Sequence, residues 1–394
     1  MLEWLVIGGG VHGTHLSHVL VNSIGISGDR VAVIDPDDEP MRRWKHCASN
    51  TGMAYLRSPA VHHVGLEPMD LRDFARSSQW SRYRSFRRPY DRPCLELFEA
   101  HCEHVIDSGN LRQLRRRGRA TDLRHTDKGW SVETDRGELE AENVMLATGS
   151  GLWPRWPQWA ESLDWAGGDV WHVFDDDFDL AAVDDEAVVG IVGLGISAVQ
   201  LAICLSEREN GGVEIIAPHE VRTAMFDSDP CWLGPRCQVG LRRFDSYVRR
   251  RKEIDRARRV GTVPRTLVRQ LTELIESGEV RTEIGSVESA GLDESGSMEI
   301  RTAKQKTIEV DNLILATGFE APRADRSWLT GAIARHNLET APCGFPIVDD
   351  NLCWDHGLYV SGSLAELELG PASRNIAGAR MTARRLKKNR EITG

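Results

Sequence analysis

Apolar positions in this chain fall into two repeats of one pattern. Near the start an apolar run over residues 4 to 7 breaks at Gly8, and a stretch with helical spacing follows over about residues 12 to 22. A second apolar run over 30 to 34 ends at Asp35, and strand, tight turn, helix, strand in that order predict a βαβ unit. The pattern restarts near residue 188, with a strand over 188 to 192, a helix over about 196 to 207 and a strand over 213 to 217. Each repeat is followed, more than a hundred residues on, by an apolar strand closing on Leu-Ala-Thr-Gly: Leu146-Ala147-Thr148-Gly149, then Leu315-Ala316-Thr317-Gly318. Between these landmarks, residues 36 to 60 read as loop. Residues 71 to 80 and 94 to 108 have helical spacing, and 118 to 134 read as a small β-meander with a turn at Lys128-Gly129. Pro154, Pro157 and the acidic run 175 to 179 mark a connection between domains. After 217 come an arginine-rich helical region, short strands around 280 to 310, a strand over 358 to 360 and a helix over about 372 to 388.

The glycines give both repeats their chemistry. Gly8, Gly10 and Gly13 follow the Gly-x-Gly-x-x-Gly spacing, while Gly193 and Gly195 start a second copy that runs through Ser197 and has Ala198 in the last glycine's place. The first glycine permits the bend, the second lets backbone N–H groups approach a pyrophosphate, and the third lets the helix pack on the strand. The helix N-terminus supplies positive potential to the phosphates. Two copies in one chain imply two dinucleotide sites, one for a flavin and one for a nicotinamide, and hence a redox enzyme. The expected fold is α/β with two Rossmann-like domains of the three-layer ββα type. An FAD domain in two parts, 1–165 and 312–394, carries an inserted NAD(P)H domain, 166–311, because the chain must return to complete the first sheet.

The differences between the copies assign them. Asp35, ending the second strand, is placed to accept hydrogen bonds from a ribose 2′-hydroxyl and marks the FAD site. At the matching position the second copy has Ala217, with His219 and Arg222 just beyond. A carboxylate there would repel a 2′-phosphate, so its absence favours NADPH, with Arg222 as the residue to hold that phosphate.

Bulk properties narrow the setting. A chain of 394 residues that is 41% hydrophobic can bury at least two cores. The formal net charge of −10 argues against a nucleic-acid partner, and no apolar run approaches membrane-spanning length. No basic region precedes an apolar stretch near the start, so no signal peptide is expected. Eight scattered cysteines without a Cys-x-x-Cys suit reduced thiols in a cytoplasm and offer no metal site. Two basic stretches, 112 to 119 and 242 to 259, lack aromatics interleaved on a basic face, so they read as solvated or ion-paired surface.

With these motifs in place, the chain resembles the flavin-containing and N-hydroxylating (lysine/ornithine-type) monooxygenases. Asp311 to Phe319 is similar to that group's Asp-x3-Leu-Ala-Thr-Gly-Tyr, with Phe319 for Tyr. Trp44, Gly52-Met53 and Leu56-Arg57 resemble its stretch beside the flavin, and the tail segments holding Gly362 and Pro371 resemble the part that closes over the flavin. The fingerprint Phe-x-Gly-x-x-x-His is present only as Gly168 and His172, with Ala166 for Phe. The resemblance implies an FAD- and NADPH-dependent monooxygenase that passes one oxygen atom of O2, through a flavin hydroperoxide, to a small-molecule amine, sulfur or ketone. A quinone- or protein-reducing NAD(P)H oxidoreductase remains as the alternative. Arg57, in the loop through His62-His63, is the candidate catalytic residue, for an anionic substrate or a phosphate of NADPH. Substrate identity and oligomeric state have no signature.

Overall fold

The computed structural model describes all residues except 78, 79, 81, 150–152, 209, 210, 295, 321–326 and 394. Two sheets carry the two repeats, the first mixed and the second parallel. In the first, Leu2–Ile7 lies between Val31–Asp35 and Gly137–Leu146, with Arg115–Arg117 beyond the former and Leu358–Val360 then Cys353–Asp355 beyond the latter. Register pairs Trp4 with Val31 and Asn143, so the tips Ile7, Ile34 and Leu146 end level and the loops leave one edge together. Because side chains alternate along a strand, Leu5, Ile7, Ala32 and Ile34 face one way and Trp4, Val6, Val31 and Val33 the other. The first set packs under the meander formed by Ala120–Thr126, Gly129–Thr134 and Gly137–Leu146; the second packs under helices Val11–Asn22 and Leu95–Ser108. Meander, sheet and helices make the three layers that the sequence predicts.

The second sheet is parallel throughout, in the order Val280–Ile284, Gly212–Ala217, Val188–Val192, Asn312–Leu315, Val170–His172. A three-stranded antiparallel layer of Val287–Leu292, Met298–Thr302 and Thr307–Val310 covers one face, and helices Ile196–Ser206 and Arg265–Ser277 cover the other. Strand Asn312–Leu315, placed above at the head of the completing segment, is hydrogen-bonded into this second sheet. Conversely, Trp232, Leu241 and Ile254 of the arginine-rich region leave the second core and pack with Phe345, Leu364 and Leu369 of the first.

Two expectations fail. The loop over 36 to 60 contains a helix, Arg42–Asn50. Only Ala48 and part of Trp44 turn toward the core, while Arg43 pairs with Asp176 and Lys45 with Glu103, so hydrophobic spacing is too sparse to reveal it. The cysteines are not all reduced, because Cys231 and Cys237 form a disulfide. Asp229 caps the short turn Pro230–Leu233, and Gly234-Pro235 reverses the chain into helix Pro235–Arg242, bringing the two Cα atoms to 5.5 Å. No described helix is long and apolar enough to cross a membrane.

Of the basic stretch read as solvated or ion-paired, Arg242, Arg250, Arg251, Arg256, Arg258 and Arg259 are ion-paired. Glu366, fully buried, accepts from Arg251 at 2.8 Å, from Arg374 at 2.5 Å and from Arg258. Burial opposes the charge on Glu366, but the three guanidinium groups outweigh it and hold the carboxyl below its usual range.

Candidate functional site

The two glycine turns repeat one another in their contacts. Gly8 has φ 109° and donates to the Ile34 carbonyl at 2.8 Å; Gly193 has φ 121° and donates to the Ile216 carbonyl at 2.9 Å. A Cβ on Gly8 would overlap the carbonyl oxygen of Ala147, and one on Gly193 would come within 2.6 Å of the oxygen of Ala316. The alanine of each Leu-Ala-Thr-Gly thus backs directly onto the first glycine of its own turn, which gives the distant pairing of the two motifs a physical cause. Gly10 faces open space, with nothing within 4 Å of a Cβ placed there, so the turn presents bare backbone where a pyrophosphate would approach. Gly13 is the tight point, since its Cβ would overlap the Gly8 carbonyl oxygen.

Asp35 is held in position by its neighbours. Its carboxylate accepts from Gly9 N–H at 2.5 Å and from Asp37 N–H at 3.0 Å, leaving lone pairs on both oxygens for hydroxyl donors. Arg115 closes the same corner: Nη2 lies 3.5 Å from Asp35, donates to the Asp37 carbonyl at 2.6 Å, and the guanidinium rests on Gly9. The sequence placed Arg115 within a generic basic stretch. Its signal was a strand start, Arg115–Arg117 beside Val31–Asp35, which the charge run concealed.

The tail meets this turn through His12. Its Nδ1 is 2.8 Å from Ser361 Oγ and its Nε2 is 3.0 Å from the Asn375 carbonyl, so one imidazole ties the helix start to both tail segments. Burial lowers its pKa to about 4, and the ring is neutral at physiological pH. Gly149 and Gly362, both at positive φ, are joined by the Ser363 hydroxyl donating to the Gly149 carbonyl at 3.0 Å. Pro371 opens a buried turn, Pro371–Arg374, ahead of the last helix.

At the second turn a Cβ on Gly195 would come 3.6 Å from Gly261 Cα, and Ser197 lies in the first turn of its helix. Thr317 donates to the Arg155 carbonyl, and Arg155 N–H donates to Gly318 at 2.9 Å, so this Leu-Ala-Thr-Gly is tied to the inter-domain connection. Ala217 is buried at its strand end; Arg222 is exposed, with no carboxylate within ion-pair reach among the described residues.

One cavity of about 300 Å³ is walled by segments leaving both units. Trp44, Met53 and His62 come from the first, Phe226 and Asp227 from the second, and Asn375 from the tail. Asp227 accepts from Asn375 Nδ2 at 3.2 Å. His62 carries a pKa lowered to about 4 by burial first and then by the charges of Arg380 and Arg384. Arg57 lines this cavity with three of its five N–H donors occupied: Nε to the Met225 carbonyl at 2.7 Å, and Nη2 to the Ala224 carbonyl at 3.0 Å and Thr262 Oγ1 at 2.9 Å. In this structure it straps the two units together.

Comparison with known proteins gives three findings. The sequence profile of the family described as pyridine nucleotide-disulphide oxidoreductase matches residues 2–383. A Baeyer-Villiger monooxygenase of Streptomyces coelicolor is 31% identical over 172 residues, 41% of this chain; the match spans 28% of that protein's length. Among solved structures, an ornithine N-hydroxylase of Kutzneria sp. 744, with reduced FAD, NADP+ and L-ornithine, superposes with a TM-score of 0.76 at 17% identity, covering 100% of this chain and 99% of the other. An FAD-bound cadaverine monooxygenase of Erwinia amylovora gives a TM-score of 0.76 at 12% identity, covering 98% and 94%. These likenesses establish the two-unit flavoprotein fold along the whole chain.

Proposed function

The chain belongs to the pyridine nucleotide-disulphide oxidoreductase family, and on that premise we propose that it is an FAD-dependent, NADPH-using monooxygenase acting on a small molecule. The observation that carries this reading is a cavity lined by Trp44, Met53 and His62 of the first glycine-turn unit and by Phe226 and Asp227 of the second. A flavin ring and a nicotinamide can meet a substrate only where the two units face one another. The residues of the first turn fit FAD: open backbone at Gly10, a preset Asp35 carboxylate for ribose, and the Thr148-Gly149, Gly362 and Pro371 surfaces joined through His12 and Ser363. Trp44, tilted against Phe98 with ring centroids 4.9 Å apart, forms one cavity wall. Gly193, Gly195, Ser197, Thr317 and Gly318 form the corresponding cradle for NADPH.

Bound FAD, reduced by NADPH, would supply O2 activation and delivery of one oxygen atom. The chain's own side chains have three tasks. Trp44, Met53 and Phe226 keep water from the cavity. The Asp227 carboxylate, fixed by Asn375, holds and orients a donor, and its negative charge favours an ammonium over a thiol or ketone. His62, kept neutral in the same cavity by burial and by the charges of Arg380 and Arg384, offers a ring nitrogen that can accept a hydrogen bond from the substrate without taking its proton. Relatives that reduce disulfides need a dithiol beside the flavin. This chain has no Cys-x-x-Cys, which leaves oxygen as the favoured acceptor.

NADPH preference rests on Ala217 and Arg222. Arg222→Glu replaces a charge-assisted contact to the 2′-phosphate by repulsion, so KM for NADPH should rise roughly 10- to 100-fold. Steady-state kinetics should show KM for NADH nearly unchanged; equal changes for both nucleotides would remove Arg222 from the site.

A further inference from the structure

Arg92 is 3% exposed, yet its guanidinium has no hydrogen-bond partner among the described residues, and Nε and Nη2 are fully shielded from solvent. A buried guanidinium left without partners is costly. Its surroundings make this worse. Strands Phe86–Arg87 and Arg92–Pro93 pair antiparallel with Arg87 directly opposite Arg92, and like charges opposite one another on a hairpin repel. Burial, and behind it the charge of Arg87, hold Arg92 below the ordinary arginine pKa. The adjacent carboxylate, Asp91, is already held by Arg72 at 2.9 Å. No carboxylate among the described residues lies within ion-pair reach of Arg87 or Arg92.

The strand that carries this guanidinium borders a loop of the cavity wall, although Arg92 itself does not line the cavity. Leu56 N–H donates to the Pro93 carbonyl at 2.9 Å and Ala60 N–H to the Asp91 carbonyl at 3.1 Å, so the Arg92 strand runs beside the loop that carries Arg57 to Pro59. Tyr90, at the hairpin tip with φ 71°, meets Phe226 of the second unit at 5.0 Å between ring centroids. The backbone of the hairpin is therefore fixed on both sides.

The geometry points to Arg92, backed by Arg87, as the binding site for an oxyanion, a carboxylate or phosphate group on a ligand entering beside the cavity. Such a group would supply the missing acceptors in the forked geometry a guanidinium matches, and would neutralise a charge pair that the protein leaves unbalanced. Arg57, the guanidinium that its sequence position favoured, spends Nε and Nη2 on Met225, Ala224 and Thr262, whereas Nε and Nη2 of Arg92 both lack an acceptor among the described residues.

The test uses the flavin-loaded protein and three probes, acetate, inorganic phosphate and NADP+, each compared with chloride at matched ionic strength by thermal melting. Arg92→Met should melt above the wild type in chloride, because an unpaired buried charge is replaced by an apolar side chain. It should lose about tenfold in affinity for the oxyanion that the site takes. Loss of the acetate response with NADP+ affinity intact identifies a carboxylate; a tenfold weaker response to phosphate and NADP+ identifies a nucleotide phosphate. Arg87→Ser, a milder change, should weaken the same response if Arg92→Met fails to fold. Unaltered responses to all three probes in whichever variants fold would overturn the assignment, and neither result depends on oxygen transfer.

Discussion

Gly13→Ala is expected to give a folded protein that no longer retains FAD. The added methyl would overlap the Gly8 carbonyl oxygen, and that oxygen belongs to the strand-to-helix turn itself. Helix Val11–Asn22 must then shift away from the turn, and its first N–H groups lose their aim at the pyrophosphate. Losing two charge-assisted hydrogen bonds at roughly 1.5–3 kcal/mol each weakens binding by at least about 100-fold. The second repeat makes the comparison, because Ala198 is accommodated there, fully buried at the equivalent place. Flavin-to-protein absorbance after purification and FAD titration measure the effect, while far-ultraviolet circular dichroism checks the fold. Full flavin content in Gly13→Ala would mean that the first turn does not hold the pyrophosphate.

The second large effect is acid lability. His15, His63, His101 and His172 are each 3% exposed or less, and burial lowers their pKa values to about 3, 4, 3 and 4 respectively. A base whose folded pKa lies below its unfolded value of 6.5 is held neutral in the native state. Below that value the unfolded chain takes up protons that the folded chain refuses, so stability is complete above pH 6.5 and falls as pH drops toward 4. By about pH 5 each of these histidines costs roughly 2 kcal/mol, or roughly 8 kcal/mol for four, comparable to the whole stability of a domain. Thermal melting should therefore collapse between neutral pH and about pH 5. His101→Phe should recover part of the loss, because His101 packs edge-on against His63 and Phe74 without needing its charge. A melting temperature flat over that range would show that these imidazoles are already solvated.

The doubled architecture was legible because it is local. Strand, glycine turn and helix lie within one short window, and period-two against helical spacing reads directly from residues 4 to 35 and 188 to 217. The Leu-Ala-Thr-Gly strands were recognisable as repeats, but their reason needed the fold: each alanine carbonyl packs on a glycine about 130 residues earlier. What stayed hidden depends on distant partners. Helix Arg42–Asn50 is anchored by acids from 103 and 176, Arg115 reaches Asp35 through strand order, and Cys231–Cys237 closes through a turn rather than a motif. Arg57 and Arg92 show the limit most sharply. Both are arginines on neighbouring segments, and only the folded arrangement of acceptors satisfies Nε and Nη2 of Arg57 while leaving Nε and Nη2 of Arg92 without a partner among the described residues.

The proposed oxygen transfer is tested most directly under 18O2. The flavin-loaded protein, supplied with NADPH, is screened against amine, thiol and ketone libraries while nucleotide consumption, peroxide release and product mass are followed together. The account predicts an amine that accelerates NADPH consumption, suppresses peroxide and acquires one labelled oxygen atom. NADPH consumption driven only by a quinone or protein acceptor, with no label entering any product, would contradict it.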